Sequence, residues 1–232
     1  MSMLSRSFAV AVLTLAVGGT SLAAQAPVQG DFQWYVGGQA GVLVFRTPSQ
    51  TRGGNFAAGA HTLITARRTG LLLSVEEAIG DSTVSSYYDD TGTIQDVEFN
   101  DIRKYSAVLM AFPVRSAAQP YIGVGVGILH AVNPQPPETA AFASPAARAQ
   151  AEADATDLGT NGFVTAVGGL QFKVGRFVAF GQYQITSTQG TKTLESGASG
   201  RLFNGATHTF TGGMRISLGS AKETPRSFSQ GN

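Results

Sequence analysis

The sequence predicts an all-β fold, an eight-stranded antiparallel up-and-down β-barrel that crosses a membrane. Three observations lead there. Polarity alternates with period two through eight stretches, each stretch is about 10–15 residues long, and the connections alternate between short and long. Alternation places one set of side chains on each face of a strand. A tilted membrane strand needs ~9–11 residues, whereas strands of globular proteins cluster near ~5–6. Membrane barrels join their strands by tight turns at one end and longer loops at the other.

The elements follow in chain order. Residues 1–26 read as an export signal: Arg6 is the positive head, Phe8 to Val17 is an unbroken run of apolar and small residues, and Ala24-Gln25-Ala26 is a small-x-small cleavage site. That run falls in the signal-peptide window and is too short to span a bilayer as a helix. The barrel is expected over 27–218, with strands near 32–46, 54–66, 70–80, 101–112, 120–132, 161–174, 176–188 and 205–218. The last strand is the clearest. His208, Phe210, Met214, Ile216 and Leu218 share one face, while Thr207, Thr209, Thr211, Arg215 and Ser217 share the other. In the fifth, Ile122, Val124, Val126 and Ile128 oppose Tyr121, Gly123, Gly125 and Gly127. Tight connections fall at 67–69, 113–118 and Gly175, and long polar ones at 81–100, 133–160 and 189–204. An even strand number puts both ends of the chain on the short-turn side, and 219–232 form a polar periplasmic tail. The Ala-rich 146–157 segment is the one expected helix, since alanine has the best helix propensity.

Composition tells which face meets oil. Charged residues make up 13% of the chain, about half the usual ~25%. A soluble barrel would need many Lys and Glu on its outer face. Their scarcity places the apolar row outward and Gln39, Gln171, Lys173, Arg176, Gln182 and Arg215 inward. Phe32, Trp34, Phe45, Phe172 and Phe177 fall at strand ends, where aromatic girdles sit. In hydrocarbon every backbone polar group needs a partner within the protein, which a closed sheet provides. Sixteen Lys and Arg against fifteen Asp and Glu, with no basic tract, exclude a charge-driven nucleic-acid binder. The lack of cysteine excludes disulfide scaffolds, thiol chemistry and cysteine-ligated metal.

Two stretches carry a family resemblance. Pro120-Tyr-Ile-Gly-Val-Gly-Val-Gly127 is similar to the glycine-rich strand of OmpA-like small outer-membrane β-barrels. The stretch from Thr211 through Gly213, Met214 and Ile216 to Leu218 resembles the signal read by the barrel-assembly machinery, although relatives usually end it on an aromatic residue. The resemblance covers about 31–218. It implies a bacterial outer-membrane location, lipid and lipopolysaccharide as surroundings, and assembly through Thr211–Leu218.

Chemistry-bearing groups are sparse. His61, His130 and His208 lie on different strands without metal-ligand spacing, and neither a Gly-x-Ser-x-Gly elbow nor a phosphate-cradling glycine loop is present. No catalytic residue, cofactor or metal is therefore expected. Glu76 and Glu77 interrupt one apolar strand and Arg103 and Lys104 open the next, so one member of each pair should face the lumen. Glu76, Lys104, Lys173, Arg176 and Arg215 are the expected lumen ion network, sealing the barrel and joining its strands. Tyr87, Tyr88, Asp89 and Asp90 form a candidate interaction site in a solvated loop. With Asp96 and Glu98 the same loop offers oxygens of the kind calcium takes, without EF-hand spacing. The favoured reading is a non-enzymatic outer-membrane protein acting in envelope integrity, adhesion or surface contact through its long loops. A narrow porin-like channel, a lipid-modifying barrel enzyme and a soluble periplasmic ligand-binding barrel are the alternatives.

Overall fold

A computed structural model describes residues 32–49, 53–80, 83–89, 91–114, 116–187, 190–194 and 196–221. The export segment 1–26, Asp90 and the tail beyond 221 lie outside the described residues. In chain order the elements are β1 (Phe32–Phe45), β2 (Gly53–Ala66), β3 (Thr69–Ile79), β4 (Thr83–Tyr88), β5 (Ile94–Phe99), β6 (Ile102–Ala111) and β7 (Ala118–Ala131). Then come α1 (Pro145–Leu158), β8 (Thr160–Val174), β9 (Phe177–Thr186), β10 (Lys192–Thr193), β11 (Ser199–Gly200) and β12 (Thr207–Ala221).

Eight strands close in the order β1-β12-β9-β8-β7-β6-β3-β2. Each expected strand lies within three residues of its observed ends. β12 runs on to Ala221, past the expected end at 218. Closure pairs β1 with β12 from Phe32↔Ala221 to Val44↔His208, with an irregularity between Trp34 and Tyr35. Two of the short turns hold a residue at positive φ: Arg67 (φ 52°) between β2 and β3, and Gly175 (φ 61°) between β8 and β9. Two-residue hairpins of the twist-matched type need such a residue.

The two faces settle the orientation. Leu109, Ile122, Val124, Val126, Val164, Phe210 and Met214 point outward, each more than half exposed. Arg215, Glu76, Lys104, Gln184 and Thr209 point inward and are 1–3% exposed. A water-soluble barrel has the reverse arrangement, so the soluble ligand-binding alternative is excluded by the fold. Trp34, Phe172 and Phe177 are exposed on the outer wall as expected of a girdle. Phe45 is not: it is buried, turned into an apolar cluster at the long-loop end.

The long connections depart from expectation. The described residues of the expected 81–100 loop are not an open polar loop but build the β4–β5 hairpin, paired from Thr83↔Phe99 to Tyr88↔Ile94. With β10 and β11 it builds a second, four-stranded sheet in the order β10-β11-β4-β5. The reason is visible in the alternation: Thr83, Ser85, Tyr87, Val97 and Phe99 are buried while Tyr88, Ile94 and Asp96 are exposed. Helix α1 forms where the alanine run predicts it. Ser144 caps it, its side chain accepting from the Ala147 amide at 3.2 Å, and Pro145 occupies the first turn.

Candidate functional site

The lumen is layered. At the short-turn end Tyr35, Leu63, Leu72, Val108, Met110, Phe112 and Tyr121 belong to one apolar cluster. At the long-loop end the strand residues Leu43, Phe45, Ile102, Leu129 and Phe163 join loop residues in another. Buried polar side chains lie between the two clusters. Glu76 and Lys104 are neighbours in register across β3 and β6, and their ion pair measures 2.6 Å with both side chains nearly fully buried. The other two ammonium protons are placed to reach Gln184 Oε1 at 3.2 Å and Thr209 Oγ1 at 3.0 Å. Gln184 Nε2 donates to Thr165 Oγ1 at 2.9 Å, and Gln39 Nε2 donates to the other Glu76 oxygen. A buried ion pair holds only when its remaining donors and acceptors are satisfied in this way.

Arg215 forms a separate centre. Its Nε donates to His61 Nε2 at 2.9 Å and its Nη1 to Gln171 Oε1 at 3.0 Å. The guanidinium stacks 4.0 Å from the Phe180 ring centroid. His61 Nε2 accepts, so its proton resides on Nδ1 and the ring is neutral. Among the described residues no carboxylate lies within ion-pairing distance of Arg215.

Glycines make these contacts geometrically possible. Gly59 stands between Gln39 and Glu76 in register. Gly37 stands between His61 and Arg215, and Gly169 between Tyr121 and Gln182, whose hydrogen bond measures 3.1 Å. In each case two side chains meet over an intervening strand that offers none. A Cβ at Gly37 would lie 2.2 Å from the Met214 carbonyl oxygen and 3.0 Å from Arg215 Cγ; one at Gly169 would lie 2.5 Å from Tyr121 Cζ.

The expected single ion network therefore divides. Glu76 and Lys104 are one centre and Arg215 another. Lys173 is only half-buried, toward the short-turn end, its Nζ 5.7 Å from the Tyr35 ring centroid. Arg176 is outside the lumen: it is exposed in the β8–β9 turn, where Nη2 donates to the Ser217 carbonyl at 3.3 Å. A turn residue has no inward face, which alternation alone did not reveal. Glu77 and Arg103 pair on the outer wall at 2.9 Å. Sequence reasoning missed His61 and Gln184 as lumen partners; their place on the inward face of β2 and β9 was the available signal.

The long-loop end carries a folded cap. Phe203, at the end of the last long loop, meets Phe45 edge-on at 5.5 Å and Phe99 at 5.7 Å. Ser85 Oγ donates to the Leu202 carbonyl at 2.9 Å, and Thr47 Oγ1 to the Val84 carbonyl at 3.0 Å. Leu158 and Ala155 of α1 are fully buried in the same cluster. Tyr87 is therefore not available for surface contact: it is 3% exposed. Burial raises its phenol above the ordinary value, reinforced by the nearby charges of Asp154 and Asp89 and by a hydrogen bond to Asp154. Tyr88 is exposed. Asp89 organises the hairpin tip, its Oδ1 accepting from the Thr91 amide at 3.0 Å, Thr91 Oγ1 at 2.7 Å and the Thr93 amide at 2.8 Å, and its Oδ2 from Gln95 at 2.9 Å. These bonds, those from Thr91 and Gln95 foremost, lower its pKa. Asp96 accepts from Ser86 at 2.6 Å. The carboxylates of Asp89 and Asp96 thus accept from donors within the hairpin.

No family model and no curated protein matches the chain. Solved structures do. Neisserial surface protein A superposes with a TM-score of 0.51 at 11% identity, covering 79% of this chain and 96% of its own. The outer membrane protein OprG from Pseudomonas aeruginosa gives 0.47 at 11% identity, covering 83% and 99%. The outer membrane protein AlkL gives 0.44 at 10% identity, covering 89% and 100%. The chain shares the fold of small eight-stranded membrane barrels, and these structures are what it is similar to.

Proposed function

We propose that this protein is a non-enzymatic bacterial outer-membrane barrel with a packed lumen, which presents its folded cap at the cell surface for envelope or adhesion contacts. The single observation that supports this most is the inverted wall: apolar side chains out, a hydrogen-bonded polar lumen in. Apolar clusters close both ends of the lumen, and Lys104, paired with Glu76, reaches across its middle to Gln184 and Thr209, which argues for a scaffold rather than a channel. Assembly would proceed through Thr211–Leu218, whose Met214, Ile216 and Leu218 are exposed on the outer wall. The surface contact shifts from Tyr87 to Tyr88 and Ile94, which face each other across the hairpin tip and are 58% and 61% exposed. Lipopolysaccharide and other membrane lipids are the surroundings of the wall.

Gel migration of the membrane fraction with and without boiling tests the reading. A folded barrel resists detergent until heated, so the mobility should shift; an unshifted band, or recovery of the protein in the soluble fraction, overturns it. In planar bilayers the folded protein should give no reproducible conductance steps.

A further inference from the structure

The outer wall is not uniform. A depression of about 650 Å³ lies across β1, β2, β3, β6 and β7, floored by Ala60 and Ala107 and walled by Val36, Leu73, Tyr105 and Ile128. The register explains its shape. One row of outward side chains runs Leu73–Ala107–Val126 and the next, toward the long-loop end, runs Val75–Tyr105–Ile128. Small residues set among large ones leave a trough in a wall that otherwise stands proud.

The following outward row, about 7 Å farther along the strands, changes character. It is Glu77–Arg103–His130. Arg103 donates through Nε to Glu77 at 2.9 Å, which leaves the four N–H groups of its two terminal nitrogens. His130 Nδ1 is bonded to Thr160 at 2.8 Å, which leaves Nε2. Arg103 retains 45% side-chain exposure. An apolar trough thus ends under a cation whose planar fork matches phosphate geometry.

We infer that this trough is a site for one lipid molecule, with an acyl chain along Ala107 and Ala60 and a headgroup phosphate on Arg103. The inference rests on the membrane reading above, since only there does the trough face hydrocarbon. The apolar lining fits a chain, and the polar row directly above it fits the charged end of the same molecule. Glu77 holds the guanidinium in place and leaves the pair able to meet a headgroup that carries both signs.

Native mass spectrometry of the folded full chain tests it, with dipalmitoyl phosphatidic acid, dipalmitoylglycerol and inorganic phosphate as probes. The wild-type protein should retain one phosphatidic acid molecule in preference to dipalmitoylglycerol, and inorganic phosphate should not bind alone. Ala107→Trp fills the trough and should reduce retention of both lipids about tenfold. Arg103→Gln should keep chain binding but abolish the preference for the phosphorylated lipid, and Arg103→Lys should restore part of it. The heat-dependent mobility shift confirms that each variant is folded, and Ala60→Trp serves as a second trough variant if Ala107→Trp does not shift. Undiminished retention in a folded trough variant overturns the site, as does an unchanged preference in Arg103→Gln. Either failure leaves the barrel reading standing if the shift is present, whereas loss of the shift in the wild-type protein removes both.

Discussion

Individual side chains in the lumen act across strands rather than along them. Glu76→Ala leaves Lys104 as a buried, unpaired cation, and breaking a buried pair costs about 3–5 kcal/mol. Urea unfolding in lipid vesicles should show that loss, and the double variant Glu76→Leu with Lys104→Leu should recover most of it, because replacing both partners by apolar groups removes the desolvation cost as well. Gly37→Val should lower stability by about 1–3 kcal/mol through overpacking, while a change at Gly175, where nothing lies within 4 Å but φ is +61°, acts through the backbone instead. The identity of Glu76 and Lys104 as inward-facing was legible from alternation, because the pairs Glu76-Glu77 and Arg103-Lys104 can each place only one member inside. The partners of Arg215 were not legible. His61 reaches it over Gly37 of β1 and Gln171 from β8 across β9, and contact across a skipped strand depends on how three strands are brought side by side, which alternation within one strand does not show.

Hairpin and helix form a cap packed onto the long-loop end of the barrel through one shared apolar cluster. Tyr87 is neutral in the folded cap, and its phenol is raised above the ordinary value near 10 by burial first and then by the neighbouring carboxylates. A raised folded value means that the stabilisation is complete below the unfolded value and declines as pH rises above it. Proteolysis at alkaline pH should therefore cut the cap above pH about 10 while the barrel stays heat-modifiable, and Tyr87→Phe should remove that pH step. Asp89 works in the opposite sense: its lowered value means that the tip is held above the normal carboxylate range and released as pH falls through the folded value. Asp89→Ala should speed hydrogen exchange at the Thr91 and Thr93 amides at neutral pH. The eight barrel strands were readable because each is long and most alternate clearly between polar and apolar residues. β4 and β5 were hidden by their brevity and by Ser and Thr on their buried face, Ser85 and Thr83 among them, which made a packed hairpin look like a polar loop. Helix α1 was readable from alanine content, but its docking through Leu158 and Ala155 was not.

At the level of the whole molecule, the barrel is turned inside out relative to a soluble one, and the single tryptophan reports it. Trp34 lies on the outer wall, 43% exposed, near the start of β1. In vesicles its fluorescence should be quenched most by lipids brominated near the headgroup and little by aqueous iodide; the reverse ranking would place that end of the wall in water. The closing seam has its own consequence. The first strand of the wall finds its second neighbour only in β12, the last of the eight wall strands in chain order. Until Thr207–Ala221 arrives, β1 and β9 each expose an unpaired ladder of amides and carbonyls, a state that hydrocarbon penalises by several kcal/mol per group. Insertion is therefore a single late event. A chain stopped short of residue 207 has no shorter cylinder to fall back on and should accumulate as a protease-sensitive sheet outside the bilayer.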